Sequence, residues 1–172
     1  MTALITGGSG CGKSTYAEKL VTRLPFEKRV YIATMRVYDE ESVKRVARHR
    51  AQRADKGFVT LECPMDLARA EVEPGSTVLL EDIPNLLANE MFDGGDPGRI
   101  FPALRELSEK CANLIIVTND VFCDGVTYPE STQTYIKELA ELNRKLADLA
   151  DYAAEVVYSI PVHLKGAEKC AI

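Results

Sequence analysis

The chain has 172 residues and a net charge of −5, long enough for one domain over residues 1–172 to bury a core without staples. The acidic balance argues against a general nucleic-acid binder. No apolar run is long enough to span a membrane and no basic segment precedes the short apolar start, so the expected address is cytoplasmic.

Cys11, Cys63, Cys111, Cys123 and Cys170 form no C-x-x-C pair, and His49 and His163 are the only histidines. That set supports a zinc site poorly and reads as reduced thiols. Cys11 differs from the others in lying inside a glycine-rich loop, where alkylation should block whatever the loop binds.

A first strand is predicted at Leu4-Ile5-Thr6. GGSGCGKST follows at residues 7–15, and then a helix over Lys13 to Leu24. Gly7, Gly12, Lys13 and Ser14 match G-x-x-x-x-G-K-[ST] in a strand–loop–helix frame. Such glycines let backbone N–H groups curl around phosphate oxygens, Lys13 adds a compact positive charge, and the Ser14 hydroxyl can reach magnesium. The helix points its positive dipole end at the same anion. The pattern predicts a nucleoside triphosphate as ligand.

The second strand is expected at Val30 to Ala33 and a helix at Glu40 to Ala54. Residues 36–56 carry seven basic side chains (Arg36, Lys44, Arg45, Arg48, Arg50, Arg53, Lys56) against four acidic ones. This local reversal of charge reads as a polyphosphate-facing surface or as a solvated helix face. At about 100° per residue, Val43, Val46, Ala47 and Ala54 share one side, and His49 points about 120° away from it. Arg45 and Arg53 flank His49 at i−4 and i+4. A lone histidine is commonly a solvated structural residue. Neighbouring guanidiniums, however, disfavour imidazolium and leave a neutral ring nitrogen free to act as a nucleophile toward phosphorus.

Strands are further predicted at Phe58 to Leu61, Thr77 to Leu80, Leu114 to Val117 and Val156 to Tyr158, with helices at Asp66 to Glu71, Pro84 to Met91, Pro102 to Ala112 and Thr132 to Ala150. Ile136, Leu139, Leu142, Leu146 and Leu149 line one face of the last helix. Glu81, directly ending the Thr77–Leu80 run, has two readings: a carboxylate for magnesium or its bound water, or an acidic helix cap. Asp82 reads as a cap or an outer group. Thr118-Asn119-Asp120 is not the guanine-reading N-K-x-D motif. A terminal strand pair is expected around Val156 to Tyr158 and Val162 to Leu164, turning at Ile160-Pro161. The alternation predicts a mostly parallel α/β sheet with helices on both faces and ligands beyond the carboxyl ends of the strands.

Taken together, TGGSGCGKS, YIATM (Tyr31 to Met35), RHR around His49, LEC (Leu61 to Cys63), LLE (Leu79 to Glu81), NLLANEMF, VTND, LNRKLA and HLKG resemble the bifunctional adenosylcobinamide kinase/adenosylcobinamide-phosphate guanylyltransferases of cobalamin biosynthesis. The resemblance covers essentially the whole chain. It implies phosphorylation of adenosylcobinamide by ATP or GTP, then transfer of GMP from GTP through a histidine at the place of His49, with pyrophosphate released and magnesium required. It places nucleotide contacts at Gly7, Gly8, Ser9, Gly10, Cys11, Gly12, Lys13, Ser14 and Thr15, at Ala33, Thr34 and Met35, at Arg50, Ala51, Gln52 and Arg53, and at Glu62 and Glu81. Ser14 and Glu81 would serve the metal. A RecA-like P-loop fold and a homotrimer are also implied.

The chain departs from the family pattern at Asp82 (often Cys), Asp120 (often Glu), Ile136-Lys137 (often Arg-Asp) and Ala140 (often Gly). These positions bear on corrinoid or trimer contacts rather than on phosphate chemistry. Two other readings are a monofunctional P-loop kinase and a nucleotide-dependent regulatory switch, the GTPase form of which the missing N-K-x-D motif disfavours.

Overall fold

The structure, a computed structural model, describes residues 1–24, 28–36, 56–120 and 125–170. Its elements run β1 (Thr2–Thr6), α1 (Lys13–Arg23), β2 (Arg29–Ala33), β3 (Phe58–Glu62), β4 (Thr77–Glu81), α2 (Ile83–Phe92), α3 (Ile100–Lys110), β5 (Asn113–Val117), α4 (Glu130–Leu149), β6 (Tyr152–Val157) and β7 (Ile160–Lys165). Among the described residues seven strands form one sheet in the order β3-β2-β4-β5-β1-β6-β7. Every neighbouring pair is parallel except β6 and β7.

The period of two along each strand divides the core. Leu4, Ile32, Val78, Leu80, Leu114 and Ile116 face α2, α3 and α4, whose Leu86, Leu104, Leu139, Leu142 and Leu146 are buried against them. Ala3, Ile5, Tyr31, Leu79, Ile115 and Val117 face the other way, onto Ala17, Leu20 and Val21 of α1. The continuously apolar strands are therefore those covered on both sides. Of the predicted stripe on α4, Leu139, Leu142 and Leu146 are buried, and Ile136 and Leu149 are half-buried. No helix among the described residues is long and apolar enough to cross a membrane.

Two local expectations need correction. The helix expected over Asp66 to Glu71 is a single 3-10 turn, Leu67–Arg69, because Asp66 is left-handed at φ 49 and Ala70 is extended. The terminal hairpin turns at Tyr158-Ser159 and not at Ile160-Pro161. Tyr158 and Ser159 take φ 50 and 65, the left-handed pair of a two-residue hairpin turn, and Pro161 already pairs with Val156. Pro is accepted there because β7 is an edge strand. The helix expected at Glu40 to Ala54 lies outside the described residues.

Candidate active site

The parallel strands bring their carboxyl ends to one edge of the sheet, and the candidate phosphate loop leaves β1 there. Gly7 and Gly12, the glycines the pattern requires, are also required by space. Gly7 has φ 145 and a Cβ on it would lie 2.5 Å from the Val156 carbonyl oxygen; Gly12 has φ 96 and a Cβ would lie 2.5 Å from Ser159 Oγ. Gly12 is the N-cap of α1. Gly8, Ser9, Gly10 and Thr15 are exposed, and Cys11 is half-buried.

Lys13 is only 8 % exposed and donates from Nζ to the Gly8 carbonyl at 3.1 Å, which uses one of the three donors of its ammonium group. One residue on, Ser14 Oγ donates to Glu81 Oε1 at the end of β4. The other oxygen, Glu81 Oε2, accepts from Tyr31 OH at 3.0 Å. Glu81 is thus held from two sides, by the first turn of α1 and by β2, with a serine oxygen and a carboxylate oxygen in direct contact. Tyr31 was not singled out from sequence as a site residue. It pairs with Leu79 in the β2–β4 register, so it shares a face with Glu81 two residues further, a relation visible only once the strand order is known.

Thr34 is fully buried. Its hydroxyl donates to the Asp82 carbonyl at 2.8 Å and accepts the Asp82 N–H at 2.7 Å, while its own N–H meets the Glu81 carbonyl at 3.1 Å. Asn89 adds a bond from Nδ2 to the Thr34 carbonyl at 2.9 Å. The chain leaving β2 is therefore tied to the chain leaving β4, and Thr34 spends its hydroxyl on that tie. Asp82 caps α2, its Oδ1 accepting the Asn85 N–H at 2.9 Å. Burial raises its carboxyl above the ordinary carboxylate range and the neighbouring Glu81 adds to that, while the bonds from Asn85 work against it. Tyr135, pushed up to about 12 by burial and by the Asp82 charge, donates to the Pro84 carbonyl at 3.1 Å. Asp82 is thus a cap, as one of its two readings held.

The remaining sequence-named positions disperse along the same edge. Ala33 and Met35 are half-buried at the end of β2, and Glu62 is exposed at the end of β3. Four strand steps separate β3 from β1 in the sheet order, roughly 19 Å, so Glu62 and the loop stand far apart. His49, Arg50, Ala51, Gln52 and Arg53 lie outside the described residues. Of the basic group at residues 36–56, the two described cations are committed elsewhere: Arg36 pairs with Asp93 at 2.6 Å, and Lys56 with the buried Glu18 of α1. For these two the polyphosphate-facing reading gives way to structural ion pairs.

A buried acid shapes the loops at this edge. Glu90 is 4 % exposed, and its oxygens accept the Asp66 N–H at 2.6 Å and the Asp96 N–H at 2.8 Å. One carboxylate thereby fixes the loop after β3 and the loop after α2. Glu90→Ala is expected to cost about 3 kcal/mol, because two inward-facing N–H groups lose a charged acceptor. Glu90→Gln, retaining one acceptor oxygen, should cost less; urea unfolding of both variants checks the order.

The model of the family described as cobinamide kinase / cobinamide phosphate guanyltransferase matches residues 3–164. The chain is 34% identical over 173 residues to the bifunctional adenosylcobalamin biosynthesis protein CobP of Pseudomonas aeruginosa, covering 96% of this chain and 98% of that one. It is 31% identical over 185 residues to the bifunctional adenosylcobalamin biosynthesis protein CobU of Salmonella typhimurium, covering 96% and 100%. A solved structure from Pyrococcus horikoshii OT3 shares the fold at 12% identity, with a TM-score of 0.53 over 95% of this chain and 85% of that one.

Proposed function

The chain belongs to the cobinamide kinase / cobinamide phosphate guanyltransferase family, and we propose that both of its reactions draw on the phosphate loop at Gly7 to Ser14. It is a bifunctional adenosylcobinamide kinase and guanylyltransferase of cobalamin nucleotide-loop assembly. The observation that carries the site is the convergence of Lys13, Ser14 and Glu81 where β1 and β4 end. A RecA-like P-loop reading of the single domain, 1–172, is supported by β5 lying between the loop-bearing strand and the acid-bearing strand.

Magnesium fits this corner. Ser14 and Glu81 offer adjacent hard oxygens, and among the described residues no three His, Cys, Asp or Glu side chains gather into a cage. That suits an ion which takes most of its ligands from phosphate and water. Ser14 and Glu81, partly through water, would hold it, and bound there it neutralises charge developing on the phosphates.

In the kinase step the aminopropanol hydroxyl of adenosylcobinamide attacks the γ-phosphorus of ATP or GTP and the nucleoside diphosphate departs. Lys13 stabilises the equatorial oxygens, and the protein supplies no nucleophile. In the second step a His49 ring nitrogen attacks the α-phosphorus of GTP and expels pyrophosphate. The phosphate of adenosylcobinamide phosphate then attacks the same phosphorus and breaks the N–P bond. The nucleotide contacts expected at Ala33, Met35, Arg50 to Arg53 and Glu62 belong to this reading, as do the cytoplasmic address and the homotrimer that family membership implies.

Incubation with α-labelled and γ-labelled GTP, with and without adenosylcobinamide, followed by mass spectrometry of the protein, tests it. The expected result is α-label on the protein, discharged by the phosphorylated acceptor. Label appearing in the small molecule from γ-GTP alone would leave a monofunctional kinase.

The loop cysteine gives an independent check. Burial pushes the Cys111 thiol up to about 11 and raises Cys63, where Asp66 and Glu90 add to the effect; both are buried, whereas Cys11 is half-exposed. Iodoacetamide at neutral pH should therefore modify Cys11 first among these three. Bound ATP should protect it, and the modified protein should lose nucleotide binding. Peptide mapping reads each outcome.

A further inference from the structure

Two stretches noted in the sequence, VTND after β5 and LNRKLA in α4, are joined in the structure. Thr118 is buried. Its hydroxyl donates to Asn143 Oδ1 at 2.6 Å, and Asn143 Nδ2 donates to the Asn119 carbonyl at 3.2 Å. The Thr118 N–H meets the Ile5 carbonyl at 2.9 Å, so the chain leaving β5 stays paired with β1 one residue beyond the strand. The backbone of Thr118 and Asn119 is thus held by α4 on one face and by β1 at its side.

The register places Asn119 at the phosphate loop. Val117 stands level with Ile5 on β1 and with Glu81 on β4, and it belongs to the α1 face of the sheet. Thr118 turns to α4. By strand alternation Asn119 returns to the α1 face, about 7 Å beyond Val117, as Gly7 lies beyond Ile5. It therefore stands between the start of the loop and the Glu81 carboxylate that Ser14 holds. Its Oδ1 is sealed from solvent and has no hydrogen-bond partner among the described residues. A buried amide oxygen without a donor destabilises the fold. The orphan is an acceptor, so what it lacks is a hydrogen. Of the two reactants that meet in the kinase step, the triphosphate presents acceptor oxygens at its terminal phosphate, whereas the alcohol carries an O–H.

We propose that Asn119 Oδ1 accepts a hydrogen bond from the attacking hydroxyl of adenosylcobinamide and aims its oxygen at the γ-phosphorus, a role that rests on the kinase reading of the loop above. The hydroxyl oxygen bonds to the γ-phosphorus while the bond from that phosphorus to the β–γ bridging oxygen breaks. The nucleoside diphosphate leaves with the bridging oxygen. The hydroxyl proton passes to an oxygen of the transferred phosphoryl group and then to solvent. Asn119 gains and loses no proton; it orients. In guanylyl transfer the attacking atoms are an imidazole nitrogen and then a phosphate oxygen, both at the α-phosphorus, so Asn119 serves the first step alone.

Asn119→Leu, similar in size and without polar ends, tests this. The variant should melt at or above the wild-type temperature, because an unsatisfied buried oxygen is gone. Its kcat for phosphorylation of adenosylcobinamide should fall about ten- to a hundredfold, the scale set by a misaligned nucleophile, with the KM for ATP unchanged. The GMP adduct from α-labelled GTP should form at the wild-type rate. Asn119→Ala should give the same activity pattern, and it keeps the test open where the leucine variant does not fold. Wild-type kcat in both variants overturns the role of Asn119 and leaves the kinase reading intact. An equal loss of phosphorylation and adduct formation, or a raised KM for ATP, assigns the residue to the triphosphate or to the fold and overturns the role as well. Wild-type protein that phosphorylates no acceptor overturns the kinase reading itself, and the role of Asn119 falls with it.

Discussion

Lys13→Ala is expected to lower the kinase and the guanylyltransferase activities together, each by roughly a hundred- to a thousandfold, the usual effect of removing one preorganised donor from a transferring phosphate. The ammonium is placed for this. It sits at the first residue of α1, buried at the floor of the loop, with Gly8 accepting one of its protons. In the proposed mechanism both reactions develop negative charge on a triphosphate held by this loop, one at the γ- and one at the α-phosphorus, so a shared grip predicts a shared loss. The two steps can be assayed apart, with adenosylcobinamide and γ-labelled ATP for the first and adenosylcobinamide phosphate and α-labelled GTP for the second. Lys13→Met, which keeps the buried aliphatic stem, controls for packing. Loss of one activity alone would assign the reactions to separate phosphate sites.

His49→Ala should divide what Lys13→Ala unites. In the proposed mechanism the imidazole forms the N–P bond, so in its absence the acid-labile GMP adduct should vanish from the protein and guanylyl transfer should stop. Phosphorylation of adenosylcobinamide uses no protein nucleophile and should stay within a few-fold of wild type, as expected when only one transition state has lost its partner. Intact-mass measurement after incubation with GTP, before and after mild acid, reads the adduct directly. Wild-type labelling in His49→Ala would remove this residue from the mechanism.

Sequence and structure agree where local chemistry dictates the outcome. Apart from Thr77, the runs Thr77 to Leu80 and Leu114 to Val117 are apolar on both faces, and each forms a strand buried from both sides. The loop glycines, the cap at Asp82 and the leucine stripe of α4 were equally readable, because each rests on spacing within a few residues. Relations across the sheet were not. Tyr31 reaches Glu81 only because β2 and β4 are neighbours, and Lys56, counted among basic residues that suit polyphosphate, instead neutralises Glu18 on another element. Glu90 lies in a helix whose local pattern does not distinguish a solvated glutamate from one that anchors two loops. The hairpin turn was misplaced because Pro161 carries a strong turn signal, while Tyr158 and Ser159 adopt left-handed backbone without the residues that announce it.

The sheet order also governs where the enzyme can afford to move. β1, β4 and β5 lie inside the sheet and are nearly sealed from solvent, whereas β3 and β7 form its margins and expose much of their length. Local opening begins where burial is least. Fraying should therefore reach the outer strands well before it disturbs the lysine and glutamate seated at the centre. Thermal softening and accumulated sequence change can thus concentrate at the periphery, while the proposed grip on phosphate stays rigid.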